Sequence, residues 1–325
     1  MKIGLCLPQL GATKEGFPDR NSVLEFARNA EAAGFDSLWV QDHIMVPANP
    51  QTGFAGGPLE IPMPYAYRTM FSPLELLSFA AAVTENVQLA TSILVTAYYR
   101  PVELAKRLAT LDILSGGRAL AGLGLGWSKD EYAHMDTPFE RRAGRMTDFL
   151  KALKACMLPD PVQYDGEFFQ IPECDTSPKP LQKNAAGEPQ VPIALGGGSP
   201  AMLKRLARHA DSWNPAGMPA EAIVAGLAQI NQFAEEAGRD HTFETHARIF
   251  TNPIMEGAPT WDGGFFAGTS WTGTANDMKE NVIEFRDAGI DQIILETNYW
   301  EPNPGPEFWP RHVDFFEPLV NVAHS

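Results

Sequence analysis

The chain has 325 residues, 44% of them hydrophobic and 20% charged, which excludes a disordered, collagen-like or membrane-bundle protein. Its 25 Lys and Arg stand against 40 Asp and Glu, and a net charge of −15 without any basic run argues against nucleic acid and anionic lipid as partners. Cys6, Cys156 and Cys174 are scattered with no CxxC pair, which argues against a disulfide framework or a zinc site and for reduced cytoplasmic thiols.

Lys2–Leu7 is a short apolar run broken by Pro8, the pattern of a first strand and not of a signal peptide. No window approaches the ~18 continuous apolar residues of a membrane span. Ser22-Val-Leu-Glu25 reads as a capping box opening a helix, whose Val23, Phe26, Ala27 and Ala30 recur at helical spacing until Gly34. Phe35–Val40 is the second strand. Ser72-Pro73-Leu74-Glu75 predicts another capping box and a helix to about Glu85, followed by strand three at Val87–Val95. Pro101 opens a third helix that Gly116-Gly117 ends. Arg118–Leu125 is strand four, and Phe139–Met157 is helical. Val191–Leu195, Asp211–Asn214, Glu244–Phe250 and Gln292–Glu296 are strands five to eight. Helices start between them at Ser199-Pro200, Pro219 and Thr274, and a last one lies near Val313–Val322, interrupted by Pro318.

Eight β–α units with apolar strands imply a parallel sheet covered on both faces. At this length the expectation is one α/β domain over 1–325, a closed (β/α)8 TIM barrel in preference to an open doubly wound sheet. Two insertions break the pattern: Met45–Phe71 after strand two and Leu158–Gln190 before strand five. The first leaves the C-terminal end of a strand, the face on which barrels carry their active sites, and is expected to cover that mouth.

Candidate chemistry follows from the strand ends. Strand two ends in Gln41-Asp42-His43, read as a general base with an adjacent orienting acid, or else a plain surface histidine. Strand three ends in Thr91-Ser92-Ile93, which alone says little. Strand four ends in Gly122-Leu-Gly-Leu-Gly126-Trp127, whose missing side chains let a flat group approach; its spacing is not that of a dinucleotide fingerprint. Strand five runs through Gly196-Gly197-Gly198-Ser199-Pro200 into a helix, an anion site at a helix N-terminus, or else a tight turn needing glycine for geometry. The seven histidines show no HxH or HExxH pairing, so no metal is expected. These residues lead to a barrel enzyme binding a flat phosphorylated ligand, with its reaction open.

The segments KIGLCLPQLG, AEAAGFDSLWVQDHI and LATSILVTAYYRPVELAKRLATLDILSGGRALAGLGLGWSKDEY resemble the bacterial luciferase-like monooxygenase superfamily, and PFERRAGRMTDFLKAL, YDGEFFQIP, PKPLQ, PIALGGGSPAMLKRLARHADSWNPAG and MKENVIEFRDAGIDQIILE its coenzyme F420-dependent oxidoreductase branch. The resemblance implies a barrel whose mouth holds a deazaflavin or flavin, with His43, beside Asp42, over the reactive ring. It implies a non-prolyl cis peptide at Ser92–Ile93 behind the ring, Gly126 and Trp127 along it, and Gly197, Gly198 and Ser199 around its phosphate. The activity implied is hydride transfer between F420 and a small organic substrate. FMN-dependent monooxygenation fed by a separate reductase, or non-catalytic flavin binding, are the alternatives. A cytoplasmic homo-oligomer, dimer or tetramer, is expected. Sugar-phosphate dehydrogenases of the superfamily carry Glu where this chain has Trp127 and Trp where it has Pro47, which turns the expectation toward an apolar substrate walled by Trp127, Tyr65, Tyr67 and Phe71.

Overall fold

Eight strands pair side by side and in parallel: Lys2–Cys6 (β1), Ser37–Val40 (β2), Gln88–Thr91 (β3), Ala119–Gly124 (β4), Ile193–Gly196 (β5), Ser212–Asn214 (β6), Glu244–Pro253 (β7) and Gln292–Glu296 (β8). β8 returns to β1, with Lys2 opposite Gln292, and Ile193 of β5 lies opposite Ala121 of β4, so the ring is closed. The computed structural model describes residues 1–11, 17–257, 268–299 and 308–325. The architecture is the expected (β/α)8 barrel.

Among the described residues, eight long helices surround the ring: Arg20–Ala32 (α1), Pro73–Ala81 (α2), Pro101–Leu114 (α3), Arg142–Met157 (α4), Pro200–His209 (α5), Ala220–Glu236 (α6), Ala275–Asp287 (α7) and Phe308–His324 (α8). Their apolar faces and the outward strand residues form one buried cluster, and Cys6, Trp39, Ala90, Leu120, Ala194 and Ile294 form another inside the ring. Gly4 makes room for this interior layer, since a Cβ there would lie 2.1 Å from Ser37 Oγ and 2.9 Å from Trp39 Nε1.

Several local expectations shift. The α1 capping box is Asp19 with Ser22, whose backbone N–H donates to Asp19 Oδ1 at 2.7 Å, so the helix opens nearly one turn before Ser22. At Ser72 no side-chain cap forms, because its hydroxyl donates to Glu75, and α2 stops at Ala81 instead of Glu85. β3 ends at Thr91, and pairing with β4 resumes at Leu94–Val95 beyond a bend at Ser92–Ile93. α8 runs unbroken through Pro318.

Met45–Phe71 folds over the C-terminal mouth, its Thr69–Met70 pairing antiparallel with Leu10–Gly11 and its Phe54 and Tyr67 packed with Leu10, Tyr299 and Trp127. Leu158–Gln190 carries an antiparallel hairpin, Val162–Asp165 with Gln170–Cys174, pinned to α4 where Asp148 accepts the amides of Phe168 and Phe169. Among the described residues, no helix is long and apolar enough to cross a membrane.

Candidate active site

A cavity of about 670 Å³ opens at the C-terminal ends of the strands. The nine residues assigned from the sequence to catalysis and cofactor binding line it: Asp42, His43, Ser92, Ile93, Gly126, Trp127, Gly197, Gly198 and Ser199.

His43 follows β2 directly, and its Nδ1 lies 2.8 Å from Oε2 of Glu131. Glu131 sits on a short helix, Lys129–His134, that Ser128 caps after β4. The same carboxylate accepts the Tyr98 hydroxyl at 2.6 Å and the Ile44 amide at 2.7 Å. Burial pushes the Glu131 carboxyl up, but the bonds from His43, Tyr98 and Ile44 outweigh it and hold it below its usual range. An ionised Glu131 can only accept, so Nδ1 of His43 is the donor of this bond. Nε2, without a partner among the described residues, is left as the atom that can take or give a proton at the cavity.

The orienting acid is therefore Glu131 and not Asp42. Asp42 Oδ2 accepts the Val95 amide at 3.1 Å and the Tyr99 hydroxyl at 3.0 Å, so neighbours in the chain serve different partners. Burial pushes Asp42 up to about 6, against the bonds from Val95 and Tyr99 and the pull of His43. A carboxyl whose folded pKa stands above its unfolded value stabilises the fold below the unfolded value and loses that contribution as pH rises through the folded one. The window here runs from 3.8 to about 6. Asp42→Asn keeps an acceptor for Val95 and removes the ionisation. It should raise unfolding free energy at pH 7 by roughly 1–3 kcal/mol, with no gain near pH 4, as read by urea denaturation at the two pH values.

The opposite wall is built on Ser92 and Ile93, whose connecting peptide is cis. Ser92 Oγ donates to Asn214 Oδ1 at 2.6 Å, and its carbonyl accepts Arg248 Nη1 at 2.7 Å. The glycines at the end of β4 serve this wall: a Cβ on Gly124 would lie 2.5 Å from Ile93 Cδ1, and one on Gly122 1.7 Å from the Thr91 carbonyl oxygen. They make room for the end of β3, and Gly124 also lines the cavity. Gly126 has φ +72° and would press a Cβ against Val95 at 2.5 Å. Trp127 next to it packs on His43 with ring centres 5.4 Å apart and on Phe54 at 5.7 Å. Tyr67 completes this apolar side, edge-on to His43. Tyr65 is exposed and Phe71 packs on Phe17, so neither lines the cavity.

At the far rim, Gly197 takes φ +100° and its carbonyl accepts Trp213 Nε1 at 2.7 Å. Ser199 caps α5, its Oγ accepting the Met202 amide at 3.3 Å. Gly197 thus does geometric work, while the exposed Gly198 and Ser199 leave their amides without a partner among the described residues at the positive end of a helix.

Beneath the cavity lies a polar floor that sequence reasoning missed. Buried Arg248 pairs with Glu296 and donates to Gln41 Oε1 at 3.0 Å and to the Tyr299 hydroxyl at 3.2 Å; Gln41 Oε1 also accepts Tyr67 and Tyr299. Burial pushes the Tyr299 phenol up to about 12. The available signal was a charge beside apolar strand residues, Arg248 before Ile249-Phe250 in β7 and Glu296 after Ile293-Ile294-Leu295 in β8. Among the described residues, no group of three or more His, Cys, Asp or Glu could hold a metal ion.

A family model described as luciferase-like monooxygenase matches residues 1–260. An uncharacterised protein of Mycobacterium tuberculosis is 35% identical over 193 residues, covering 58% of this chain and 64% of that protein. An F420-dependent glucose-6-phosphate dehydrogenase of Amycolatopsis mediterranei is 29% identical over 206 residues, 62% of this chain and 55% of that enzyme. The chain thus matches less than two thirds of the length of either relative. Two solved structures share the fold over all of both chains. One is the monooxygenase RslO1 of Streptomyces bottropensis, with TM-score 0.78 and 20% identity. The other is an F420-dependent secondary alcohol dehydrogenase in complex with an F420–acetone adduct, with TM-score 0.73 and 19% identity.

Proposed function

The chain belongs to the luciferase-like monooxygenase family, and from that membership we propose that it is an oxidoreductase that uses coenzyme F420 to move a hydride to or from a small organic substrate. The observation that carries the reading is the Glu131-oriented His43, set beside the apolar Trp127 side of a cavity whose far rim is the glycine turn.

The residues fit such a cofactor. A volume of about 670 Å³ lies within the ~300–1,000 Å³ of small-molecule sites. The Gly198 and Ser199 amides, with the dipole of α5, would hold its phosphate, and a Cβ added at Gly198 would meet nothing nearer than Met218 Sδ at 3.5 Å, so the rim is open. Ile93 would back the ring and Trp127 flank it. When bound, the cofactor supplies the hydride chemistry. His43 Nε2 gives a proton to, or takes one from, the substrate atom beside the reacting carbon. Glu131 holds the imidazole in register, and Phe54, Tyr67 and Trp127 exclude water.

Substrate choice follows from the lining. Its one guanidinium among the described residues, Arg248, is already paired with Glu296, so the phosphate of a sugar phosphate finds no free cation there. A small apolar or unsaturated molecule suits the Trp127 side. The reading includes a cytoplasmic homo-oligomer that engages neither nucleic acid nor membrane. Turnover with F420 under nitrogen tests it: hydride transfer proceeds without oxygen, whereas a strict need for oxygen and reduced FMN would replace it with the monooxygenase reading.

A further inference from the structure

Although the net charge of the chain is −15, two neighbouring helices carry almost only basic side chains. α4 with Arg141 before it, and α5 with its cap, hold eight of the 25 Lys and Arg and one of the 40 carboxylates. That carboxylate, Asp148, is buried and turned to the amides of Phe168 and Phe169. The two helices are neighbours: Arg205 of α5 donates through Nε to Thr147 Oγ1 at 2.9 Å and through Nη2 to the Ala143 carbonyl at 3.0 Å, both on α4. Lys151 lies one turn after Thr147 on the same face, and Arg208 one turn after Arg205. Lys151, Lys204 and Arg208 are exposed, and none of Arg142, Arg145, Lys151, Lys204, Arg205 and Arg208 has an ion-pair partner among the described residues. The field is felt locally: His209 is pushed down to about 4 by burial and by Lys151, Lys154, Arg205 and Arg208.

The groove starts at the phosphate-binding rim. α5 begins at Ser199, and a rise of 1.5 Å per residue puts Arg205 and Arg208 about 9 and 14 Å along its axis from that cap. A helix C-terminus attracts cations, which accounts for Arg208 but not for the arginines at the N-terminal end of α4, where a positive dipole opposes them. We propose that the α4–α5 groove is the docking strip for an oligocarboxylate chain extending beyond the cofactor phosphate, the oligoglutamate tail of coenzyme F420. The inference rests on the F420 reading and deepens it, because FMN ends at its phosphate and leaves the strip without a partner. Exposed Lys and Arg paired with successive carboxylates contribute little singly and add along the strip, with strong screening by salt.

The test is equilibrium binding, read by quenching of protein fluorescence, with F420 bearing its glutamate tail and with the same phosphorylated deazaflavin lacking glutamates. Wild-type protein should bind the tailed form about tenfold more tightly at about 50 mM NaCl, and the advantage should vanish near 500 mM. The K151E/R208E pair should lose most of that advantage while binding the tail-free form as before; K151Q/R208Q, which puts no new charge on the helices, should lose about half. Equal wild-type affinity for the two forms at low salt, or a variant weakened equally toward both, overturns the tail strip and leaves the F420 site standing. Binding of neither form overturns both.

Discussion

Replacing His43 by alanine is expected to lower turnover by ~10²–10⁴-fold while changing cofactor affinity by less than about threefold. Of the ring nitrogens, only Nε2 is uncommitted, because Nδ1 is held 2.8 Å from a carboxylate that Tyr98 and the Ile44 amide keep ionised. Hydride transfer changes the charge on the substrate beside the reacting carbon, and a positioned group that moves the compensating proton contributes a factor of that size. The phosphate rim lies across the cavity, so binding should survive. Steady-state rates with the variant, alongside its cofactor affinity, check both halves. Normal turnover would remove His43 from the mechanism.

Gly198→Asp should weaken cofactor binding by roughly 100-fold or more and leave the barrel folded. A Cβ at Gly198 meets only the end of the Met218 side chain, its Sδ at 3.5 Å and its Cε at 3.8 Å, so a side chain fits without moving the backbone. Its carboxylate would then occupy the N-terminus of α5, taking the amides and repelling the anion they would receive. A thermal melt within a few degrees of wild type, together with lost binding, is the expected pair of results. Unchanged affinity would mean that the phosphate is held elsewhere.

What the sequence could reveal was what lies close together along it. His43 and the Gly197–Ser199 turn were legible because strand ends carry a barrel's chemistry, and both motifs are short and local. Ser92–Ile93 was not legible from its residues at all; the family resemblance pointed to it. The misassignment of Asp42 has a physical cause. Consecutive side chains leave a backbone in different directions, so Asp42 meets Val95 and Tyr99 while the acid that serves His43 comes from 88 positions further on. Arg248 and Glu296 pair across adjacent strands, a contact that neither strand's pattern discloses by itself. The shift of the α1 cap arose similarly: Asp19 and Ser22 both suit an N-cap, and the structure chooses Asp19 because Ser22 serves at the third helical position.

The most direct measurement of the central claim is a fluorescence titration of the purified protein with F420 and with FMN, on wild type and Gly198→Asp together. Trp127 lines the cavity and Trp213 bonds the Gly197 carbonyl, so a cofactor seated there should quench the protein's emission. The account predicts saturable quenching by F420, at least tenfold tighter than by FMN, and its loss in the variant. Tight binding of FMN with none of F420, or F420 binding that ignores Gly198→Asp, would contradict it.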